Sequence, residues 1–224
     1  CMPEIIQFSN DLCYACNGTP LDPLRSYRAG RLAPLLSRHV PEGYRQGETS
    51  TSVNPPEADA IVAQIKACVE DPRYAGKTMG VISLQGNAQA RLIQEKLVTT
   101  LGPSVMEERR LHCGDAGRFQ GATREVMFLS MVAAPGKPRV QALTADLYRQ
   151  RFNVAMSRAK DQVWLFHTVT LDMLRPDCLR HRLLSYMLDP KRQVNQESEQ
   201  RFESQFEQDV FRQLTQRGFH VRSQ

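Results

Sequence analysis

The sequence predicts an α/β layer fold with a parallel sheet and helices against it. Three observations carry that expectation. Short, largely apolar runs over residues 79–84 and 125–132 have the length and character of strands buried on both faces. Stretches with apolar residues at helical spacing stand between such runs, as in Ala58, Ile61, Val62, Ile65 and Cys68. Strand and helix alternate along the chain instead of clustering by type.

Residues 2–16 read as a helix. Pro3 suits a first turn, and Ile5, Ile6, Phe8, Leu12 and Cys13 give an apolar face. Asn17-Gly18-Thr19-Pro20 ends it. Residues 17–55 are rich in Pro, Gly, Arg and Ser and read as long connections with one short element. They carry Arg25, Arg28, Arg31, Arg38 and Arg45, which would line a nucleic-acid path or form a solvated surface. Pro55-Pro56-Glu57 opens the next helix and Asp71-Pro72 breaks it. After the strand at 79–84, Gln85-Gly86-Asn87 turns into a helix carrying Ala90, Ile93, Leu97 and Val98. Residues 111–113 form a short strand, 125–132 a longer one and 135–139 a loop.

A helix over 145–158 follows, with the cations Arg158 and Lys160 near its C-terminus. Residues 162–167 are a short buried strand, in which Trp164 is a buried aromatic, not a base-stacking platform. The helix expected over 171–188 turns Leu179, Leu183, Leu184 and Met187 inward and stops at Asp189-Pro190. The organisation is then a domain over 1–188, a polar linker over 189–201 and a helix–strand stub over 202–224, cut off at its end. The chain begins at Cys1 and reads as a piece of a longer protein.

The net charge of +5 suits a polyanion partner as well as it suits a mildly basic soluble protein. No run of 18 apolar residues exists, so no membrane partner is expected. Of the six Cys, only Cys13 and Cys16 have metal-like spacing, and no second pair or His partners follow at comparable spacing. No metal site is therefore expected, and the thiols read as reduced.

Gly76-Lys77-Thr78 resembles the end of a phosphate-binding loop, but Asp71 stands where that motif needs its first Gly. The tripeptide also precedes a strand, whereas the loop must follow a strand and open a helix so that N–H groups face phosphate. It reads as a turn.

Three stretches remain, in order: Gly80-Val-Ile-Ser-Leu-Gln-Gly86, Gly117-Arg-Phe-Gln-Gly121 and Asn153-Val-Ala-Met-Ser-Arg-Ala-Lys160. On them the sequence resembles superfamily 1 helicases of the 1B branch, which includes the nonsense-mediated-decay RNA helicase and related bacterial proteins. They look like motifs IV, V and VI of the second RecA-like domain. Residues 1–5 look like those just after the family's Tyr/Phe-Arg motif. The resemblance covers about residues 1–170 and implies a RecA-like (P-loop NTPase-type) sheet. It also implies ATP with Mg²⁺ as cofactors, Mg²⁺ held mainly by the first RecA-like domain. The implied partners are that first domain and single-stranded or duplex nucleic acid, DNA ahead of RNA. The setting it implies is the bacterial cytoplasm.

The resemblance also implies roles for residues. Arg158 is the arginine finger, since a planar, permanently charged fork meets the charge that develops on a γ-phosphate. Gln120, Gly121 and Thr123 join Arg158 in binding ATP, with Gly121 letting backbone approach closely. Thr123 stands where the family commonly has an acidic residue, and Glu125 lies two further on. Asn153 and Ser157 support the finger. Ser83, Gln85, Asn87, Asp115 and Arg118 meet the nucleic acid, although the family's Thr-x-Asp is replaced by Gly114-Asp115-Ala116-Gly117. The function implied is the C-terminal motor domain of an ATP-dependent helicase or translocase, inactive alone. The alternatives are a non-catalytic nucleic-acid-binding or interaction module, or the targeting part of a helicase–nuclease fusion. The last rests on residues 202–221, which resemble the start of a PD-(D/E)XK nuclease-like domain related to very-short-patch repair endonucleases. Glu207 would be its first-helix Glu.

Overall fold

The computed structural model describes residues 1–15, 18–25, 31–48, 51–136, 140–189 and 213. Residues 190–201 of the expected linker, and the expected stub with Glu207 (apart from Gln213), lie outside the described residues.

Five strands form one parallel sheet: β1 (Leu35–His39), β2 (Met79–Ser83), β3 (His112–Asp115), β4 (Arg124–Ser130) and β5 (Ala159–His167). Their order across the sheet is β1-β5-β4-β2-β3. In β4, Met127 and Leu129 face one side while Val126 and Phe128 face the other, and all four are fully buried. Both faces are covered, which is why the strand reads as a continuous apolar run. Helices α1 (Pro3–Ser9), α4 (Asp146–Ser157) and α5 (Leu179–Leu188) pack on the first face. Helices α2 (Pro55–Glu70) and α3 (Ala88–Glu108) pack on the second. Tyr186 of α5 donates its hydroxyl to the Glu4 carbonyl at 2.6 Å, so the last helix closes on the first. No helix among the described residues is long and apolar enough to cross a membrane.

The short element expected within 17–55 is present, as the edge strand β1 paired to β5. Other expectations need correction. The α1 helix passes into a π-helical turn at Asn10–Tyr14. β5 begins at Ala159, three residues before the expected 162, and Trp164 is only half-buried. Val98 is exposed on α3, which kinks where Gly102 takes φ +77 before Pro103. The helix expected over 171–188 splits into a 3₁₀ turn at Leu171–Met173 and α5. Pro176 lies in the gap, where its missing N–H cannot continue a helix.

The link from β3 to β4 crosses over β2 in few residues, through a 3₁₀ turn at Gly117–Phe119. Phe119 is fully buried and lies against Gly80. A Cβ at Gly80 would meet the Phe119 ring at 2.8 Å. This close packing pins the crossover, and with it Gln120 and Gly121, to the sheet.

Candidate functional site

The residues singled out from sequence divide between the two ends of the strands. Ser83 ends β2, Gln85 and Asn87 follow it, and Asp115 ends β3, all at the carboxyl edge. Gln120, Gly121 and Thr123 lead into β4, and Arg158 leads into β5, at the amino edge. Ligands of open parallel sheets usually lie outside the carboxyl edge. Arg158 departs from that pattern, because it precedes its strand.

At the amino edge Arg158 caps α4. Its guanidinium donates to the Ser157 hydroxyl at 3.0 Å, and that hydroxyl donates to the Val154 carbonyl at 3.2 Å. Asn153 makes no hydrogen bond to Arg158 among the described residues; its amide donates to the Tyr14 hydroxyl at 3.2 Å. Two buried atoms here, Arg158 Nε and Asn153 Oδ1, have no hydrogen-bond partner among the described residues. The acids nearby are already engaged. Asp161 pairs with Arg25 and, at 3.1 Å, with Lys77. Burial raises the Asp161 pKa, and the bonds from Arg25 and Lys77 outweigh it, leaving the carboxyl below its usual range. Glu125 accepts the Thr78 N–H at 2.9 Å and the Thr78 hydroxyl, with Lys160 at 3.6 Å. Glu125 is thus occupied, and Thr123 is exposed.

Arg124 lies beside Arg158: its N–H donates to the Arg158 carbonyl at 2.9 Å. Its guanidinium covers the Phe119 ring and donates to the carbonyls of Arg110 and Thr123. Among the described residues Arg110, Arg124 and Arg158 form no ion pair. This edge is electropositive and suits an anion. Gln120 is exposed, and Gly121 takes φ +83 with nothing within 4 Å of where a Cβ would stand. Backbone conformation, not crowding by the chain, is what requires glycine there.

At the carboxyl edge Ser83 is buried, and its hydroxyl is used by the turn, donating to the Gln85 carbonyl at 3.2 Å. It does not face outward. Gln85 and Asn87 are partly exposed, and Asn87 precedes α3 without a side-chain cap. Asp115 accepts the Arg118 N–H at 3.1 Å and so shapes the crossover, while the Arg118 side chain is exposed. Of the arginines in the early connections, Arg25 pairs with Asp161, Arg31 contacts Met2 and Arg38 donates to Gln64 at 3.2 Å. Arg28 lies outside the described residues.

Residues 1–169 match the family model of an AAA domain. The chain belongs to this AAA domain family. It is a helicase-like, nucleotide-binding NTPase domain of RecA type. No curated protein matches the chain. The matched segment of the AAA domain ends just past β5 and contains both edges except for what α5 brings to them.

Within the AAA domain, Gly76-Lys77-Thr78 is a turn into β2. Lys77 is taken by Asp161 and Thr78 by Glu125. The described residues hold no group of three or more His, Cys, Asp or Glu suited to a metal ion. Cys1, Cys13, Cys68, Cys113 and Cys178 form no disulfide among the described residues, and Cys16 lies outside them.

The AAA domain also holds a buried polar network that sequence reasoning missed. Glu57 on α2 is fully buried. Its Oε1 accepts the Ser130 hydroxyl at 2.5 Å and the Val132 N–H at 2.9 Å. Asn54 caps α2 by accepting the Glu57 N–H at 3.2 Å, and donates to Thr168 at 2.8 Å. Gln89 donates to Ser130 and to the Asn54 carbonyl and accepts the Asn54 N–H. In an ordinary capping box the Glu side chain would satisfy that N–H itself. Here Gln89 does so, and Glu57 is released to the ends of β4. Burial pushes the Glu57 carboxyl up to about 7. The pattern Asn54-x-x-Glu57 was the one available signal, and it marks a cap, not a buried carboxylate.

Proposed function

We propose that this chain is the second RecA-like motor domain of an ATP-dependent superfamily 1 helicase or translocase of the 1B branch. One observation carries the reading. Arg158 is a half-buried cation held by Ser157, with a buried Nε that has no partner and no carboxylate paired to it among the described residues. A phosphate would supply what that guanidinium lacks. Arg158 acts as the arginine finger, stabilising charge on a γ-phosphate bound between this domain and a first RecA-like domain. Gln120, Gly121 and Thr123 lie on the same edge and complete the nucleotide's surroundings. Arg124 adds positive charge there. ATP brings the reactive phosphoanhydride. The residues of this chain position it and neutralise developing charge, while Mg²⁺ is held by the first domain. Gln85, Asn87 and Arg118 form part of a nucleic-acid track, for DNA ahead of RNA. Residues 1–188 form the motor domain, 189–201 a linker, and 202–224 the start of a nuclease-like domain with Glu207. The setting is the bacterial cytoplasm.

The sequence contains no complete Gly-x-x-x-x-Gly-Lys-Ser/Thr loop. The purified chain is therefore expected to show no ATP turnover, with or without an oligonucleotide, while the parent protein turns over ATP in a nucleic-acid-dependent manner. Turnover by the isolated chain would contradict the assignment.

A further inference from the structure

Arg180 lies on α5, beyond the segment matched by the family model, and is 2% exposed. An arginine that deep normally has a carboxylate against it. Arg180 forms no ion pair among the described residues, and its Nε has no hydrogen-bond partner. It makes two directed bonds instead. One goes to the Gln141 carbonyl at 3.0 Å, the other to the Gln85 Oε1.

The second bond fixes which way the Gln85 amide points. A guanidinium only donates, so the amide oxygen must face Arg180. The Gln85 NH₂ is then turned the other way. It has no protein partner among the described residues, and Gln85 is only half-buried. Two positions on, the Asn87 side chain makes no hydrogen bond among the described residues either, and α3 begins at Ala88 without a side-chain cap. The first N–H groups of a long helix are donors without intrahelical partners. The turn between β2 and α3 therefore presents donors, backed by a buried positive charge. That combination suits a phosphodiester oxygen.

Resting on the nucleic-acid track proposed above, we infer that Arg180 is a positioning residue for that track. It locks Gln85 with its amide hydrogens outward, toward a backbone phosphate of a single strand. Arg180 does not reach the strand itself.

The test uses the full chain and a fluorescein-labelled oligothymidine, read by fluorescence anisotropy at two salt concentrations, with thermal melting in parallel. Gln85→Glu separates fold from function. Its carboxylate would pair with Arg180, so the melting temperature should rise, while acceptors replace donors at the surface and binding should weaken at least tenfold. Gln85→Ala and Arg180→Met should each weaken binding, and the double variant should bind no worse than Gln85→Ala alone. Unaltered binding by Gln85→Glu overturns the inference. So do losses from Gln85→Ala and Arg180→Met that multiply in the double variant, since Arg180 would then act independently of Gln85. Where Arg180→Met does not fold, Gln85→Glu still decides. An unmodified chain that fails to bind the oligonucleotide at low salt overturns the track reading itself, and the inference with it.

Discussion

Glu57 accepts the N–H of Val132 at 2.9 Å, across 75 positions of the chain, and Val132 is held at φ +64. A β-branched residue in the left-handed region is strained by about 1–3 kcal/mol. The carboxylate that holds it there is buried and has its pKa pushed up to about 7. A carboxyl whose pKa rises on folding binds its proton more tightly in the folded state. Its contribution to stability is full below the unfolded value, 4.5, and is lost as pH rises through about 7. Between pH 5 and pH 8 the chain should lose stability on the order of a few kcal/mol through this group. Glu57→Gln, which mimics the neutral form, should flatten that slope. Urea denaturation at the two pH values measures the difference, and equal slopes in both proteins would exclude Glu57 as its source. Glu57→Ala leaves the Val132 N–H and Ser130 hydroxyl without an acceptor and should destabilise by about 3 kcal/mol.

Gly80→Ala places a methyl 2.8 Å from the Phe119 ring and 3.0 Å from the Met127 sulfur. The crossover has no room to retreat, because Phe119 is fully buried. A loss of about 1–3 kcal/mol is expected, the usual consequence of overpacking a core. A melting curve that superposes on that of the parent chain would show that the crossover yields easily.

Gly121→Ala separates backbone conformation from crowding. At φ +83 with open space around it, the alanine should lose about 1–2 kcal/mol through its backbone alone. Gly121→Asn should lose less, since Asn tolerates the left-handed region. Equal losses for the two variants would point to a contact instead.

Asp161 joins two cations from distant parts of the chain, Arg25 and Lys77. Its pKa is lowered on folding, so its contribution is present above the unfolded value and is lost as pH falls through the folded one. Asp161→Asn should destabilise the chain at pH 7 by about 1–2 kcal/mol. The gap to the parent chain should close in strong acid. A gap that persists there would mean that packing, not charge, sets the loss.

The parts of the fold legible in the sequence are those where burial is uniform. β2 and β4 are covered on both faces, so their composition alone marks them. β1 was not legible as a strand: Leu35-Leu36-Ser37-Arg38-His39 sits at the sheet edge and its residues are half-buried or exposed. Arg158 was singled out through the resemblance of residues 153–160 to a helicase motif, and the residue types at that spacing are what carry the proposed role. Glu57 and Arg180 were not, because a carboxylate or guanidinium is assigned to the surface unless its partners are known. Those partners, Ser130, Val132, Gln85 and Gln141, come from remote segments that only the folded sheet brings together. Ser83 shows the converse, a polar residue at a strand end whose hydroxyl is spent on its own turn.

Arg158 is the residue through which this domain would act on ATP. Arg158→Ala in the intact parent protein, assayed for ATP turnover with saturating nucleic acid and for ATP affinity by equilibrium binding, tests that role most directly. The hydrolysis rate should fall by about a thousandfold or more while the affinity for ATP changes only a few-fold. Near-normal turnover in that variant would contradict the account.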